Sequence, residues 1–209
     1  MSYGQNQPWG LQATKTLTAA TWSGQTNPYF VDPTTGNTAT SIFRGDPVVM
    51  NQNGFIVSLF ETGPVAKSAS IVGVFDGCSY VTPTSANPID PASPGRPYWP
   101  AGTQTLNNSP VTAFVIDDPN TVFDIQTNAT PGLNQGNMGN TANVAAGAGN
   151  TNTGISTASL DQGTLATTAT NNLKLIRLVA RTGNEANVGY NNAEVIIQNH
   201  FYATRPAGI

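Results

Sequence analysis

The residues able to do chemistry here are few: one cysteine, one histidine and one adjacent pair of acids, Asp117-Asp118. A nucleophilic thiol needs a base beside it, and Cys78 has only His200 to call on, so a small buried residue is the simpler reading of Cys78. It follows an apolar run in Val74-Phe75-Asp76-Gly77-Cys78. A Ser–His–Asp arrangement would need a supporting frame, and no Gly-x-Ser-x-Gly elbow occurs. With one His and one Cys a zinc site lacks ligands, and no Asp-x-Asp-x-Asp-Gly loop suggests calcium. Neighbouring residues on a strand point to opposite faces, so Asp117 and Asp118 are read as turn caps and not as a paired acid and base. His200, on the polar face of the last strand, is read as a surface histidine. No catalytic residue, cofactor or metal is expected, and the chain is not expected to be an enzyme.

Three tripeptides match short motifs. Arg44-Gly45-Asp46 spells an integrin-binding sequence, but between two short strands it is read as turn chemistry with one structural arginine. Asn107-Asn108-Ser109 and Asn128-Ala129-Thr130 match glycosylation acceptors and are read as polar turns.

These groups sit in a chain of 209 residues in which only 9% are charged, with a net charge of −3. An average globular chain carries about 25%. Solubility is therefore assigned to Asn, Thr, Ser and Gln. The eight Lys and Arg are scattered, which argues against a nucleic-acid groove or an acidic-membrane patch. No apolar run approaches the roughly 20 residues of a membrane span. The N-terminus has neither a basic nor an apolar secretory region.

The elements that position these residues read as β. Residues 111–127 hold two strand-like runs around Asp118-Pro119-Asn120, and the expected structure is a β-hairpin. Short strands are expected at 29–31, 41–43, 47–50, 55–60 and 70–75. The Asn51–Gly54 tetrapeptide is read as the turn of a hairpin, and Gly73 as a bulge or a close backbone approach. Residues 173–181 switch faces, which requires a bulge near Leu175-Ile176. Residues 193–201 are its expected hairpin partner, with Phe201 on the core face. The Asn- and Gly-rich stretch 128–154 is read as a long irregular connection with one helical turn, and not as a phosphate loop.

The expected fold is all-β: one antiparallel β-barrel or β-sandwich domain over 27–209, with an extended N-terminal arm over 1–26. Two long loops interrupt it, the proline-rich segment 83–104 and the segment 128–154. The aromatics without an evident core role are Trp9 and Trp22 in the arm and Tyr98 and Trp99 in the proline-rich loop. These four are the candidate protein-interface residues.

Six stretches, in order, resemble a family of tailed-bacteriophage structural proteins interpreted as capsid decoration, or cement, proteins. They are Pro8-Trp9-Gly10-Leu11, Ser41-Ile42-Phe43-Arg44-Gly45-Asp46-Pro47-Val48, Gly73-Val74-Phe75-Asp76-Gly77-Cys78, Tyr98-Trp99-Pro100, Asp117-Asp118-Pro119-Asn120-Thr121-Val122-Phe123-Asp124-Ile125-Gln126 and Glu194-Val195-Ile196-Ile197-Gln198-Asn199-His200. The proline-rich segment is longer than that family's pattern. The resemblance implies a virion protein made in the host cytoplasm that binds the outer surface of an icosahedral shell. Its expected partners are the major capsid protein and itself, as a homotrimer. The alternative is a head- or tail-fibre adhesion module binding host carbohydrate, with Tyr98 and Trp99 as a stacking platform. A weaker third is a shell-anchored glycan hydrolase, for which distant carboxylates would have to converge.

Overall fold

In the computed structural model, residues 5–33, 39–83 and 96–203 are described. Pro88, Pro91 and Pro94, and part of the turn after Asp32, lie outside the described residues. Thirteen strands follow in order: β1 (Gln12–Thr16), β2 (Asn27–Val31), β3 (Ile42–Phe43), β4 (Pro47–Asn51), β5 (Ile56–Ser58), β6 (Lys67–Ser79), β7 (Tyr98–Trp99), β8 (Val111–Ile116), β9 (Thr121–Gln126), β10 (Thr141–Ala145), β11 (Ser159–Ala166), β12 (Leu173–Leu178) and β13 (Asn192–Ile197). Every paired strand is antiparallel. The all-β reading holds, and the architecture is sandwich-like with no closed barrel.

Three layers are stacked. A six-stranded sheet has the order β1-β9-β13-β12-β10-β11, a five-stranded sheet β2-β8-β6-β4-β5, and β3 pairs with β7 in a ribbon. One buried cluster lies between the two large sheets: Val49, Ile71, Val74 and Ile116 meet Phe123, Ile125, Leu173, Leu175 and Val195. A second cluster covers the other face of the five-stranded sheet, where Val48, Phe75, Val111, Ala113 and Val115 pack with Ile42, Tyr80 and Trp99. The five-stranded sheet is thus apolar on both sides. This explains the unbroken apolar runs of β4, β6 and β8, which strands facing water on one side do not show.

Residues 111–127 do not form a hairpin. β8 lies in the five-stranded sheet between β2 and β6, while β9 lies in the six-stranded sheet between β1 and β13. The chain between them crosses from one layer to the other. Local turn chemistry is as expected: the Asp118 carboxylate accepts from the Asn120 N–H at 2.9 Å, and its carbonyl from the Thr121 N–H at 3.0 Å. Such a turn reverses the chain without deciding which sheet receives the second strand. Burial decides it, because Phe123 and Ile125 fit the inter-sheet core.

Other expectations fare better. β4 and β5 form the hairpin across the 51–54 turn, where Asn51 accepts from the Asn53 and Phe55 N–H groups. β12 pairs with β13, and its register shifts between Leu175 and Arg177, where the face switch required a bulge. Residues 128–154 contain the expected single turn of 3-10 helix, Gln135–Asn137, but also β10. Residues 12–16, assigned to an arm, form the edge strand β1 against β9.

Gly73 marks a close approach: a Cβ there would meet the carbonyl oxygen of Ile116 and the Val115 side chain. Gly54, by contrast, has open space but a φ of +81°. Gly73→Ala is expected to lower stability in urea by about 3 kcal/mol through overpacking. Gly54→Ala should cost only about 1 kcal/mol, the strain of a left-handed alanine. Equal losses would contradict the close approach at Gly73.

Candidate docking surface and its surroundings

The four aromatics singled out from sequence separate into different environments. Trp99, on β7, is 1% exposed and meets Tyr80 edge-on at 4.9 Å between ring centroids. It is a core residue and is closed to any partner, which corrects its assignment to an interface. Strand alternation then turns its neighbour Tyr98 the other way, where its ring stacks on Phe43 at 5.1 Å with planes 7° apart. Trp22 is half-buried against the inter-sheet core. Trp9 is half-buried, with the Arg181 guanidinium 5.8 Å from its ring. Both arm tryptophans therefore dock on this chain's own β domain.

The exposed aromatics are different ones. Phe30 is 55% exposed on the edge strand β2, and Phe201 and Tyr202 are 45% and 52% exposed after β13. Phe201 was expected on the core face. Its strand ends at Ile197, and the chain then bends so that the alternation no longer applies. The Phe201 N–H bonds to the Ile71 carbonyl at 2.8 Å, which fastens this segment beside β6. The Tyr202 hydroxyl lies 3.0 Å from that of Tyr29, which donates to Asp117 at 2.7 Å. Phe201 and Tyr202 meet edge-on at 5.2 Å. A groove of about 490 Å³ runs along Ser70, Gln198, Asn199 and these rings. His200, read as a surface residue, is 4% exposed, and its Nδ1 accepts from the Tyr202 N–H at 3.1 Å. The sequence signal was the aromatic pair itself, hidden by extending the β13 alternation too far.

Asp117 and Asp118 are not a catalytic pair: one holds Asn27 and Tyr29, and the other caps the turn. Cys78 is buried, and burial pushes its thiol up to about 12, so a thiolate is disfavoured. Among the described residues no group of three or more His, Cys, Asp or Glu could hold a metal ion. Among them, too, no helix is long and apolar enough to cross a membrane.

Carboxylates do converge on the outer face of the six-stranded sheet. Gln12, Asp124, Glu194 and Arg177 lie in register across β1, β9, β13 and β12. Glu194 takes Lys15 at 2.6 Å on one oxygen and Arg177 at 2.6 Å on the other. Both its oxygens are engaged, so it ties β13 to its neighbour β12 on one side and, across β9, to β1 on the other. Burial first, and the Glu194 charge second, raise Asp124 above the ordinary carboxylate range.

The Arg-Gly-Asp tripeptide is closed to any receptor. Asp46 is 5% exposed and accepts from the Phe43 N–H at 2.8 Å and the Ser156 hydroxyl at 2.6 Å. Arg44 pairs with Asp76 at 2.8 Å. Searches against family models, curated proteins and solved structures give no match for this chain.

Burial pushes the Asp46 carboxyl from its ordinary 3.8 up to about 6, despite two hydrogen bonds that favour the anion. A raised acid binds its proton more tightly in the folded state. Its contribution is therefore fully present below about pH 3.8 and is lost as pH rises through about 6. At ~1.4 kcal/mol per pH unit this window corresponds to about 3 kcal/mol. Asp46→Asn keeps the shape and removes the titration. Its stability relative to the parent should rise by about that amount between pH 4 and pH 7.5, as read from denaturation midpoints. A pH-independent difference would contradict the raised carboxyl.

Proposed function

We propose that this chain is a bacteriophage structural protein that decorates the outer surface of an icosahedral capsid and bridges neighbouring major capsid proteins. The observation that carries the reading is the set of exposed aromatics, Phe30, Phe201 and Tyr202, presented by a domain whose other described aromatic rings are buried or half-buried. Aromatics exposed in this way mark protein contacts, where a few rings supply most of the affinity. The succession of six sequence stretches that resemble cement proteins supports the same reading.

Trp99 lies in the core and offers no contact surface, and Trp9 contributes only through its exposed part. Phe30 on β2 and Phe201 beside β6 are held by backbone pairing, so binding costs little backbone ordering. Self-association as a trimer would repeat these rings around an axis and raise residence on the shell by multivalency.

Deleting the first 24 residues would remove β1 and unsettle the sheet, so point variants give the cleaner test. Phe30→Ser with Phe201→Ser should lower occupancy on purified capsids by at least about tenfold, the loss of one hot-spot ring or more. The thermal midpoint should stay within a few degrees, because both rings are exposed. Full occupancy by the double variant would defeat the assigned docking surface.

A further inference from the structure

Beside the ribbon lies a second groove, of about 440 Å³, lined by Tyr80, Arg96, Tyr98, Pro100, Thr151 and Asn152 among others. Its size falls within the range of about 300–1,000 Å³ typical of small-molecule sites. We propose that this groove binds an anionic glycan, with Tyr98 as the stacking surface and Arg96 as the carboxylate contact. The proposal is independent of shell binding, and the groove shares no lining residue with the exposed aromatics Phe30, Phe201 and Tyr202.

Three features of the groove favour a sugar. Tyr98 is stacked on Phe43 by one face, and its remaining ring surface lines the groove. An aromatic face of this kind suits the C–H face of a pyranose, which is apolar while its edges are polar. Thr151 and Asn152 supply hydroxyl and amide groups on an exposed turn, whose backbone is fixed by the Asn150 side-chain oxygen, which accepts from the Asn152 and Thr153 N–H groups at 3.0 and 3.2 Å. The lining combines two tyrosine rings and two prolines with Thr151, Asn152 and Arg96, the mixed apolar and polar character that a sugar's C–H faces and hydroxyl edges call for.

Charge then selects the sugar class. Arg96 is the one charged side chain among the described lining residues. Its guanidinium lies 4.4 Å from the Tyr80 ring centroid, and its Nη1 donates to the Tyr80 hydroxyl at 3.1 Å. Tyr80 is in turn fixed edge-on by Trp99. The guanidinium is thereby pre-ordered, so little side-chain freedom is lost when a carboxylate arrives. A planar guanidinium matches a sugar carboxylate geometrically and by charge. A phosphate-rich nucleic acid would call for several clustered cations, which the groove lacks.

Saturation-transfer NMR on the full chain tests this, with alginate, hyaluronan and polysialic-acid tetrasaccharides as probes and chitotetraose as the neutral control. At least one acidic probe should receive saturation, and chitotetraose should bind at least about tenfold more weakly. Asn152→Asp adds a like charge on an exposed turn and should reduce acidic-probe affinity by about tenfold with the thermal midpoint unchanged. Arg96→Gln should do the same, and circular dichroism reports whether its packing on Tyr80 survives. Absence of transfer from all three acidic probes overturns the proposal, as does equal affinity of the parent and Asn152→Asp. Binding of chitotetraose as strong as that of the acidic probes removes the anionic class.

Discussion

The fold depends on the turn at residues 43–46, where five separate stretches of chain meet around one buried carboxylate. Asp46 closes its own turn through the Phe43 N–H and reaches the Ser156 hydroxyl, 110 residues away in sequence. The same turn exchanges backbone bonds with Phe75 of β6, receives the Leu11 N–H, and bonds to Pro97, Gly154 and Ser156. It therefore joins the N-terminal segment, the middle sheet, the ribbon and the 154–158 chain. Space here is exhausted: a Cβ at Gly10 would lie 2.6 Å from the Gly45 carbonyl oxygen. A buried anion is costly, and its removal would leave the Phe43 N–H and the Ser156 hydroxyl without it. Position and cost together suggest that Asp46 specifies this one meeting of segments more than it adds stability.

How much of this was legible depends on the range of the interaction. Period and turn chemistry placed β4, β5, β12 and β13 and the bulge at Leu175, because those are contests between neighbouring residues. The same signals misassigned residues 111–127. Two apolar runs about a good turn describe a hairpin and a layer crossing equally well, and the choice rests on distant partners such as Tyr29, Cys78 and Val195. A clue was present in the pattern itself. β8 is apolar on nearly every position, as a strand covered on both faces must be, whereas β9 carries Asp124 on its open face. Strands of one two-stranded hairpin would share their faces.

The aromatic residues show the same division. Spacing told which tryptophans lacked a local core, but not whether a distant one existed. Trp99 found it on the outer face of the five-stranded sheet, a face that sequence alone gives no reason to think covered. Once Trp99 turns inward, alternation obliges Tyr98 to face outward, so the burial of one ring creates the exposure of the other. The docking candidates Phe201 and Tyr202 were missed for the converse reason: they follow a buried strand closely enough to be counted with it.

The low charge of the chain has a structural side that solubility does not explain. Asn191 is 2% exposed, and its amide takes the Leu133 N–H at 2.9 Å while donating to the Leu133 carbonyl at 2.8 Å. In effect it is a strand partner made from a side chain. Asn184 does likewise for Val179 and Asn192, and the Asn171 amide donates to the Thr141 hydroxyl and the Thr164 carbonyl. Loops too irregular to pair with a strand are thereby satisfied by neutral amides, which answers the requirement that buried backbone groups have partners. Ion pairs at the same places would weaken with salt and with distance from neutral pH, whereas amide bonds do not titrate. The abundance of asparagine is thus the means by which long loops between 128 and 192 hold a fixed shape.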